Sequence, residues 1–85
     1  MRECFVCCRY ANTERHHLIG GTAKRRISDR YGLVVDLCRE CHHKAHTDSN
    51  LYLMLHQYGE RQWLKQNNAT ADDFIKVFGK NYLED

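Results

Sequence analysis

The sequence predicts a small α+β protein, with two short strands and a helix in its first half and further helices in its second half. The chain has 85 residues, so it can bury only a small apolar core. Its five cysteines and all but one of its six histidines precede residue 47. Apolar residues follow a strand-like pattern before that point and a helical pattern after it.

The first half is predicted to alternate cysteine knuckles with short strands. Gly20 and Gly21 are a strong loop signal, and Gly32 precedes an apolar, β-branched run typical of a buried strand. The predicted elements are a knuckle with short extended pieces at 1–10, a strand at 14–19, a polar loop with some helical character at 20–30, a second strand at 33–37, a second knuckle at 38–41 and a helix that starts near Cys41 or His42.

The second half is predicted to be helical from residue 49 to residue 66. One apolar face is formed at i, i+3, i+4 and i+7 spacing by Leu51, Met54, Leu55 and Tyr58. Gly59 is expected to break or bend this helix, after which Trp63 and Leu64 resume the apolar face.

A last short helix is predicted after Asn67-Asn68. Thr70 and Asp73 have the spacing of a capping box, and Gly79 is expected to end the helix. Its apolar side consists of Phe74, Ile75, Val77 and Phe78. These aromatic residues are expected to pack in the core, with a partner-binding surface as the alternative.

A small core needs a further source of stability, and the composition favours metal over disulfides. The number of cysteines is odd, and the first residues lack the apolar stretch of a signal peptide. We therefore expect an intracellular, cytoplasmic chain with reduced thiols. No apolar run reaches the roughly 18–20 residues of a membrane span, so no membrane association is expected.

Two Cys-x-x-Cys knuckles predict a structural zinc site with four thiolate ligands. The knuckles are Cys4-Phe-Val-Cys7 and Cys38-Arg-Glu-Cys41. Cys8 could replace Cys7, but the two-residue spacing favours Cys7, and Cys8 is expected to be a small, half-buried apolar side chain. A strained redox pair of Cys7 and Cys8 is the remaining alternative.

The histidines predict a second metal site. His42 and His46 are four residues apart on the predicted helix and therefore face one side. His16 and His17 are neighbours on a strand and point to opposite faces, so one can bind the metal while the other activates water. Three protein ligands with open positions are typical of a catalytic metal. Alternatively, His42 or His46 binds the first zinc, or the histidines are merely solvated; His43 and His56 are expected to be exposed.

Residues 4–46 resemble the HNH nuclease family and its ββα-metal (His-Me finger) motif. The resemblance is carried by His16-His17-Leu-Ile, the strand that follows, and Leu37-Cys38-x-x-Cys41-His42-x-x-x-His46. Its zinc knuckles resemble those of HNH proteins that carry a structural zinc beside the active site. The segment FIKVFGKNY at 74–82 resembles the helical tail of small phage or prophage HNH proteins.

The resemblance implies one domain over 1–85, with a ββα-metal and zinc core at 1–46 and a C-terminal helical extension at 47–85 packed on it. It implies that His16, His42 and His46 bind a catalytic Mg²⁺, Mn²⁺, Ni²⁺ or Zn²⁺ and that His17 is the general base. The middle Asn of the family is absent, because Gly32 or Leu33 holds its position. His17 must then be oriented by a backbone carbonyl or by another side chain.

The charge distribution is consistent with a polyanionic partner. Residues 1–46 contain nine Lys/Arg and five Asp/Glu, whereas residues 47–85 contain four and six. A basic half that also holds the metal ligands suits nucleic acid, although such a run can be a solvated face. The residues expected to contact DNA phosphates, largely without sequence specificity, are Lys24, Arg25, Arg26, Arg30 and Arg39.

The leading expectation is a metal-dependent DNA endonuclease that leaves 5′-phosphate and 3′-hydroxyl ends, as the resemblance implies. The main alternative is a zinc-stabilised DNA-binding or adaptor module without catalysis. A third is a protein-interaction domain that uses the acidic helical tail. The resemblance also suggests phage packaging or recombination proteins as partners, in a bacterial host cell.

Overall fold

The structure, a computed structural model, describes residues 1–20 and 22–83, and the side chains of these residues except 22–24. The described chain is a mixed α+β fold with two small antiparallel sheets and four helices. Its elements are β1 (Arg2–Glu3), β2 (Tyr10–Ala11), β3 (Thr13–His17), α1 (Thr22–Arg30), β4 (Val34–Cys38), α2 (Arg39–Thr47), α3 (Ser49–Asn67) and α4 (Ala71–Phe78).

β1 and β2 form a hairpin around the first cysteine knuckle. The Cys4 N–H donates to the Arg9 carbonyl and the Cys8 N–H donates to the Cys4 carbonyl, both at 2.9 Å. Cys8 has a φ of 65°, in the left-handed region that a chain reversal this tight requires. The Phe5 N–H donates to the Asp36 carbonyl at 2.8 Å and thereby attaches the knuckle to β4.

β3 and β4 form the second sheet, and α2 follows β4 directly and packs on both strands. The register pairs Thr13 with Cys38, His16 with Val35 and His17 with Val34. α2 begins at Arg39, two or three residues before its predicted start, with Cys38 as its N-cap. The second knuckle is therefore the end of a strand and the first turn of a helix.

Residues 20–30 were predicted as a polar loop with some helical character, and the structure has a regular helix, α1, over Thr22–Arg30. Its sequence is polar on most sides, so no apolar periodicity marks it as a helix. It is attached by Ser28, whose buried hydroxyl donates to the Ile19 carbonyl at 3.0 Å. The α1 segment connects β3 to β4 and places Asp29 next to the sheet.

α3 is one uninterrupted helix, so a break at Gly59, one of the two predicted outcomes, is wrong. Gly59 is buried against the residues after β3: a Cβ at this position would lie 2.8 Å from Leu18 Cβ and 3.1 Å from Ile19 Cδ1. The glycine therefore permits a close helix approach instead of ending the helix. Asp48 caps the N-terminus by accepting from the Asn50 and Leu51 N–H groups.

The predicted capping box of α4 is confirmed. Thr70 accepts from the Asp73 N–H, Asp73 accepts from the Thr70 N–H, and Gly79 ends the helix with a φ of 83°. Phe74 and Phe78 are buried, whereas Ile75 and Val77, predicted on the same apolar side, are exposed.

The core lies between the second sheet and the last three helices. It is built by the buried residues Leu18, Ile19, Leu33, Leu37, Ala45, Leu55, Trp63, Phe74, Phe78 and Tyr82, together with Cys4, Cys38 and Cys41. Met54, predicted on the apolar face of α3, is exposed. Among the described helices, none has the combination of length and apolar character needed to cross a bilayer.

Candidate functional site

Four cysteines from the two knuckles converge on one point. Cys4 and Cys7 come from the β1–β2 turn, Cys38 from the end of β4 and Cys41 from the first turn of α2. Their sulfur atoms all lie within 4.8 Å of one another, and the Cys7 and Cys38 sulfurs are 3.8 Å apart. Zn–S bonds of about 2.3 Å in a tetrahedron require S–S distances of about 3.8 Å. These four cysteines could therefore hold a zinc ion.

The protonation of the cluster fits a cation-binding site. Burial opposes ionisation of Cys4, but the backbone N–H groups of Cys7, Cys38 and Val6 overcome it and lower the pKa of this thiol to about 6. Burial, together with its cysteine neighbours, raises the pKa of Cys41 to about 12. Four sulfurs this close cannot all ionise without a cation among them.

Cys8 lies outside the cluster and is exposed, so its predicted half-buried position is wrong. Its left-handed backbone turns the chain away directly after Cys7. All five cysteines lie in the described residues and are free thiols.

Three histidines form a second cluster. His16 lies on β3, and His42 and His46 lie one turn apart on α2. One nitrogen from each lies within 4.8 Å of the others, and the ring centroids are 5.2–5.6 Å apart. The structure thus brings together the three residues that the sequence predicts as ligands.

The surroundings of His16 indicate that this cluster suits a metal ion. The residue is only 5% exposed, and its Nε2 is buried with no hydrogen-bond partner among the described residues. A buried polar atom without a partner is costly, and a metal ion would satisfy it. Burial, followed by the proximity of His42 and His46, lowers the pKa of His16 to about 4. The imidazole is then neutral at physiological pH, which is its ligand form.

Glu14 orients His42. The Nδ1–H of His42 donates to Glu14 Oε1 at 2.8 Å, which leaves Nε2 of the same ring free to bind a metal. Carboxylates commonly fix the tautomer of a metal-binding histidine in this way. Glu14 is two residues before His16 on β3, so both side chains lie on the same face of the strand.

His17 points to the other face of β3 and is contacted by Asp29 of α1. The Nε2–H of His17 donates to Asp29 Oδ1 at 3.1 Å, and Nδ1 is then the nitrogen that can accept a proton. Arg15 Nη1 lies 3.6 Å from the same carboxylate oxygen. Asp29 therefore holds the ring of His17 in place, a contact that the sequence did not identify.

The histidines open onto one cavity of about 650 Å³. This volume is in the range of small-molecule and cofactor sites, about 300–1,000 Å³. The cavity is lined by Arg15, His16, His17, Gly20, Arg25, His42, His46, Tyr52, His56 and Tyr82.

The predicted DNA-contacting residues are distributed over two helices. Arg25, Arg26 and Arg30 are exposed on α1, and Arg39 is exposed at the start of α2. Of these, Arg25 lines the cavity. The side chain of Lys24 lies outside the described residues.

His43 is exposed, as predicted, whereas His56 is only 2% exposed and its predicted exposure is wrong. The His56 Nδ1–H donates to the Tyr52 carbonyl at 2.8 Å, and its Nε2 accepts from the Gly20 N–H at 3.2 Å. Sequence reasoning also missed Glu14, Arg15, Tyr52 and Tyr82 as site residues.

Comparison of the chain with protein-family profiles, with characterised proteins and with solved structures gave no match.

Proposed function

We propose that the protein is a metal-dependent DNA endonuclease of the HNH type, with β3, β4 and α2 as its ββα-metal core. The observation that carries the proposal is the His16, His42 and His46 cluster, in which a buried imidazole nitrogen lacks a partner, beside a histidine held by a carboxylate. The three ligands and the neighbouring base share one cavity.

His16, His42 and His46 would hold a divalent cation, and Mg²⁺, Mn²⁺, Ni²⁺ and Zn²⁺ are the candidates. When bound, such a cation supplies Lewis acidity that stabilises negative charge on phosphate oxygens. Glu14 keeps His42 in the tautomer and orientation that binding requires. The four cysteines would hold a structural zinc ion.

His17 is proposed to take the proton from the attacking water. Its Nε2–H is committed to Asp29, so Nδ1 is the basic nitrogen, and the carboxylate stabilises the imidazolium that forms. Asp29 thereby assumes the orienting role for which the family's Asn is absent. Arg15 and Arg25 line the same cavity and would contact the phosphates on either side of the scissile bond.

The test is plasmid cleavage by the full chain in the presence of Mg²⁺, Mn²⁺, Ni²⁺ or Zn²⁺. The parent should nick or linearise the plasmid with at least one of these ions. His17→Ala should lose about 10²–10⁴-fold in rate, because general base catalysis contributes that much. His43→Ala, at an exposed histidine next to His42, is the matched control and should cleave like the parent.

A parent protein that fails to cleave with all four ions would contradict the proposal. Equal rates for the parent and His17→Ala would also contradict it, since the activity would then come from elsewhere.

A second candidate, a DNA-binding or adaptor module without catalysis, is favoured by one observation. Arg25, Arg26 and Arg30 form an exposed basic surface on α1 that needs no histidine to bind phosphate. Salt-dependent DNA binding without cleavage, unchanged by His17→Ala, would select this function.

A further inference from the structure

Three aromatic rings line the cavity but have no role in the proposed reaction. Tyr52 and His56 come from α3, and Tyr82 comes from the segment after α4. The Tyr52 and His56 ring centroids are 4.0 Å apart with a 31° angle between the rings. The His56 and Tyr82 centroids are 4.6 Å apart with an angle of 43°. The rings therefore form a short stack, called the aromatic wall below.

The aromatic wall is held in place before any ligand arrives. Both nitrogens of His56 are hydrogen-bonded, as described above. The Tyr82 N–H donates to the buried Glu60 carboxylate at 2.7 Å, and the Tyr82 carbonyl accepts from Gln57 Nε2 at 3.0 Å. A wall fixed in this way loses little conformational entropy when a ligand packs against it.

Tyr52 is the member of the wall that can receive a ligand. His56 and Tyr82 are buried, but Tyr52 is 41% exposed while one side of its ring packs on His56. An aromatic side chain that is supported on one face and open to solvent resembles the platforms on which proteins stack nucleobases.

The rest of the cavity indicates which planar ligand fits. Arg15 and Arg25 line it together with the histidine cluster, so cationic groups suited to phosphate share the space with the aromatic wall. A planar group connected to phosphates is a nucleotide unit, and the cavity of about 650 Å³ can admit one. An aromatic side chain of a partner protein would stack on the wall but would bring no phosphate for Arg15 and Arg25 to contact.

We infer that the aromatic wall is a base-stacking subsite, in which Tyr52 receives an unpaired nucleobase of the DNA strand whose phosphate reaches the histidine cluster. The inference rests on the proposed function and names its substrate class. A base inside a duplex is stacked on its neighbours and cannot lie on Tyr52. The preferred substrate is therefore DNA with an unpaired base at the cleavage point, such as a single strand, a flap, a bulge or an unwound stretch of a supercoiled plasmid.

The test measures DNA binding in the His17→Ala background, which retains the predicted ligands. The probes are a single-stranded oligonucleotide that contains 2-aminopurine, whose fluorescence is quenched by stacking, and the matched duplex. Tyr52→Leu should weaken single-strand binding by about 5- to 100-fold, the usual contribution of one stacked base, and abolish the protein-induced quenching. Tyr52→Phe should bind like the parent, and Leu53→Ala, at the next exposed residue of α3, is the matched control.

A second measurement needs no substitution in the aromatic wall. Ultraviolet crosslinking of the otherwise unmodified His17→Ala protein to a 5-iodouracil oligonucleotide should place the crosslink on Tyr52. Crosslinks that map only to other residues, or equal binding and quenching by Tyr52→Leu and its parent, would overturn the inference.

The two proposals fail separately. If plasmid cleavage depends on His17 but Tyr52 variants treat single-stranded and duplex DNA like the parent, the subsite is refuted and the nuclease stands. If Tyr52 governs quenching while no ion supports cleavage, the nuclease is refuted and the protein is a single-strand-binding module.

Discussion

Asp29 and His17 are twelve residues apart in the chain, and their contact requires α1 to fold back along β3. The carboxylate also lies 3.6 Å from Arg15 Nη1, and the Asp29 side chain is 49% exposed. Such an anion can stabilise the imidazolium without being protonated itself. At the residue scale, Asp29 thus fixes the orientation of the His17 ring, and the proposed role of His17 as a base depends on this contact.

Asp29→Ala is expected to lower the cleavage rate by about 10-fold or more, a part of what general base catalysis contributes. The loss should appear in kcat with KM for DNA almost unchanged, because the histidine is misplaced while phosphate contacts remain. Asp29→Asn, which can still accept from the His17 Nε2–H, should recover part of the rate.

Asp36→Ala is the control, since this carboxylate pairs with Arg2 on the exposed surface. An Asp29→Ala protein that cleaves at the parent rate would show that His17 needs no orienting partner.

At the element scale, the capping box of α4 could be predicted from the sequence, whereas the role of Gly59 in α3 could not. The capping box depends on residues three apart, so the sequence contains all of it. The role of Gly59 depends on Leu18 and Ile19, which are about forty residues away in the chain. Local rules count this glycine as a helix breaker because they cannot include a tertiary contact.

Gly59→Ala is expected to destabilise the fold by about 1–3 kcal/mol through overpacking, although alanine is the better helix former. The Cβ would lie 2.8 Å from Leu18 Cβ, a distance that requires α3 to shift. Chemical denaturation would measure the loss in the free energy of unfolding.

Gln66→Ala, at an exposed position of the same helix, should be neutral or slightly stabilising. Equal or greater stability of Gly59→Ala would mean that α3 can move away from Leu18 at little cost.

Thr70→Ala is expected to reduce the free energy of unfolding by about 1 kcal/mol, since the Asp73 N–H loses its acceptor. Thr70→Ser retains a hydroxyl at the same place and should unfold close to the parent. A melting temperature of Thr70→Ala equal to that of the parent would show that the last helix is held by Phe74 and Phe78 alone.

At the scale of the whole molecule, the two clusters of candidate metal ligands were the most predictable part of the site. Cys-x-x-Cys and His-x-x-x-His each place two donors on one turn, so spacing alone pairs them. Glu14, Asp29, Tyr52 and Tyr82 reach the site only through the sheet register and helix packing, which spacing does not encode. The polar helix α1 was predicted only as a loop with some helical character, because Ile27 is the one large apolar residue in its sequence.

Removal of metal with a strong chelator is expected to abolish cooperative thermal unfolding. Structural zinc contributes about 10–16 kcal/mol in small zinc peptides, which equals or exceeds the roughly 5–15 kcal/mol of net stability of a typical domain. The chain has a small core, and three of its buried residues are Cys4, Cys38 and Cys41.

Circular dichroism during chelation and zinc re-addition would follow the loss and recovery of helix. His46→Ala is the matched control, because it should abolish cleavage while keeping the melting transition. A metal-free chain that still melts cooperatively would show that the cysteine cluster is not needed for folding.

Helix α2 provides donors to both clusters, since Cys38 caps it, Cys41 lies in its first turn, and His42 and His46 follow. Each residue of an α-helix is rotated by about 100° from the previous one. One residue inserted between Cys41 and His42 would therefore turn the histidines away from His16 while leaving the four cysteines together. Both clusters therefore depend on the register of this one helix. Insertions or deletions can be tolerated in the segment between β3 and β4, but an insertion or deletion inside α2 would separate the two clusters.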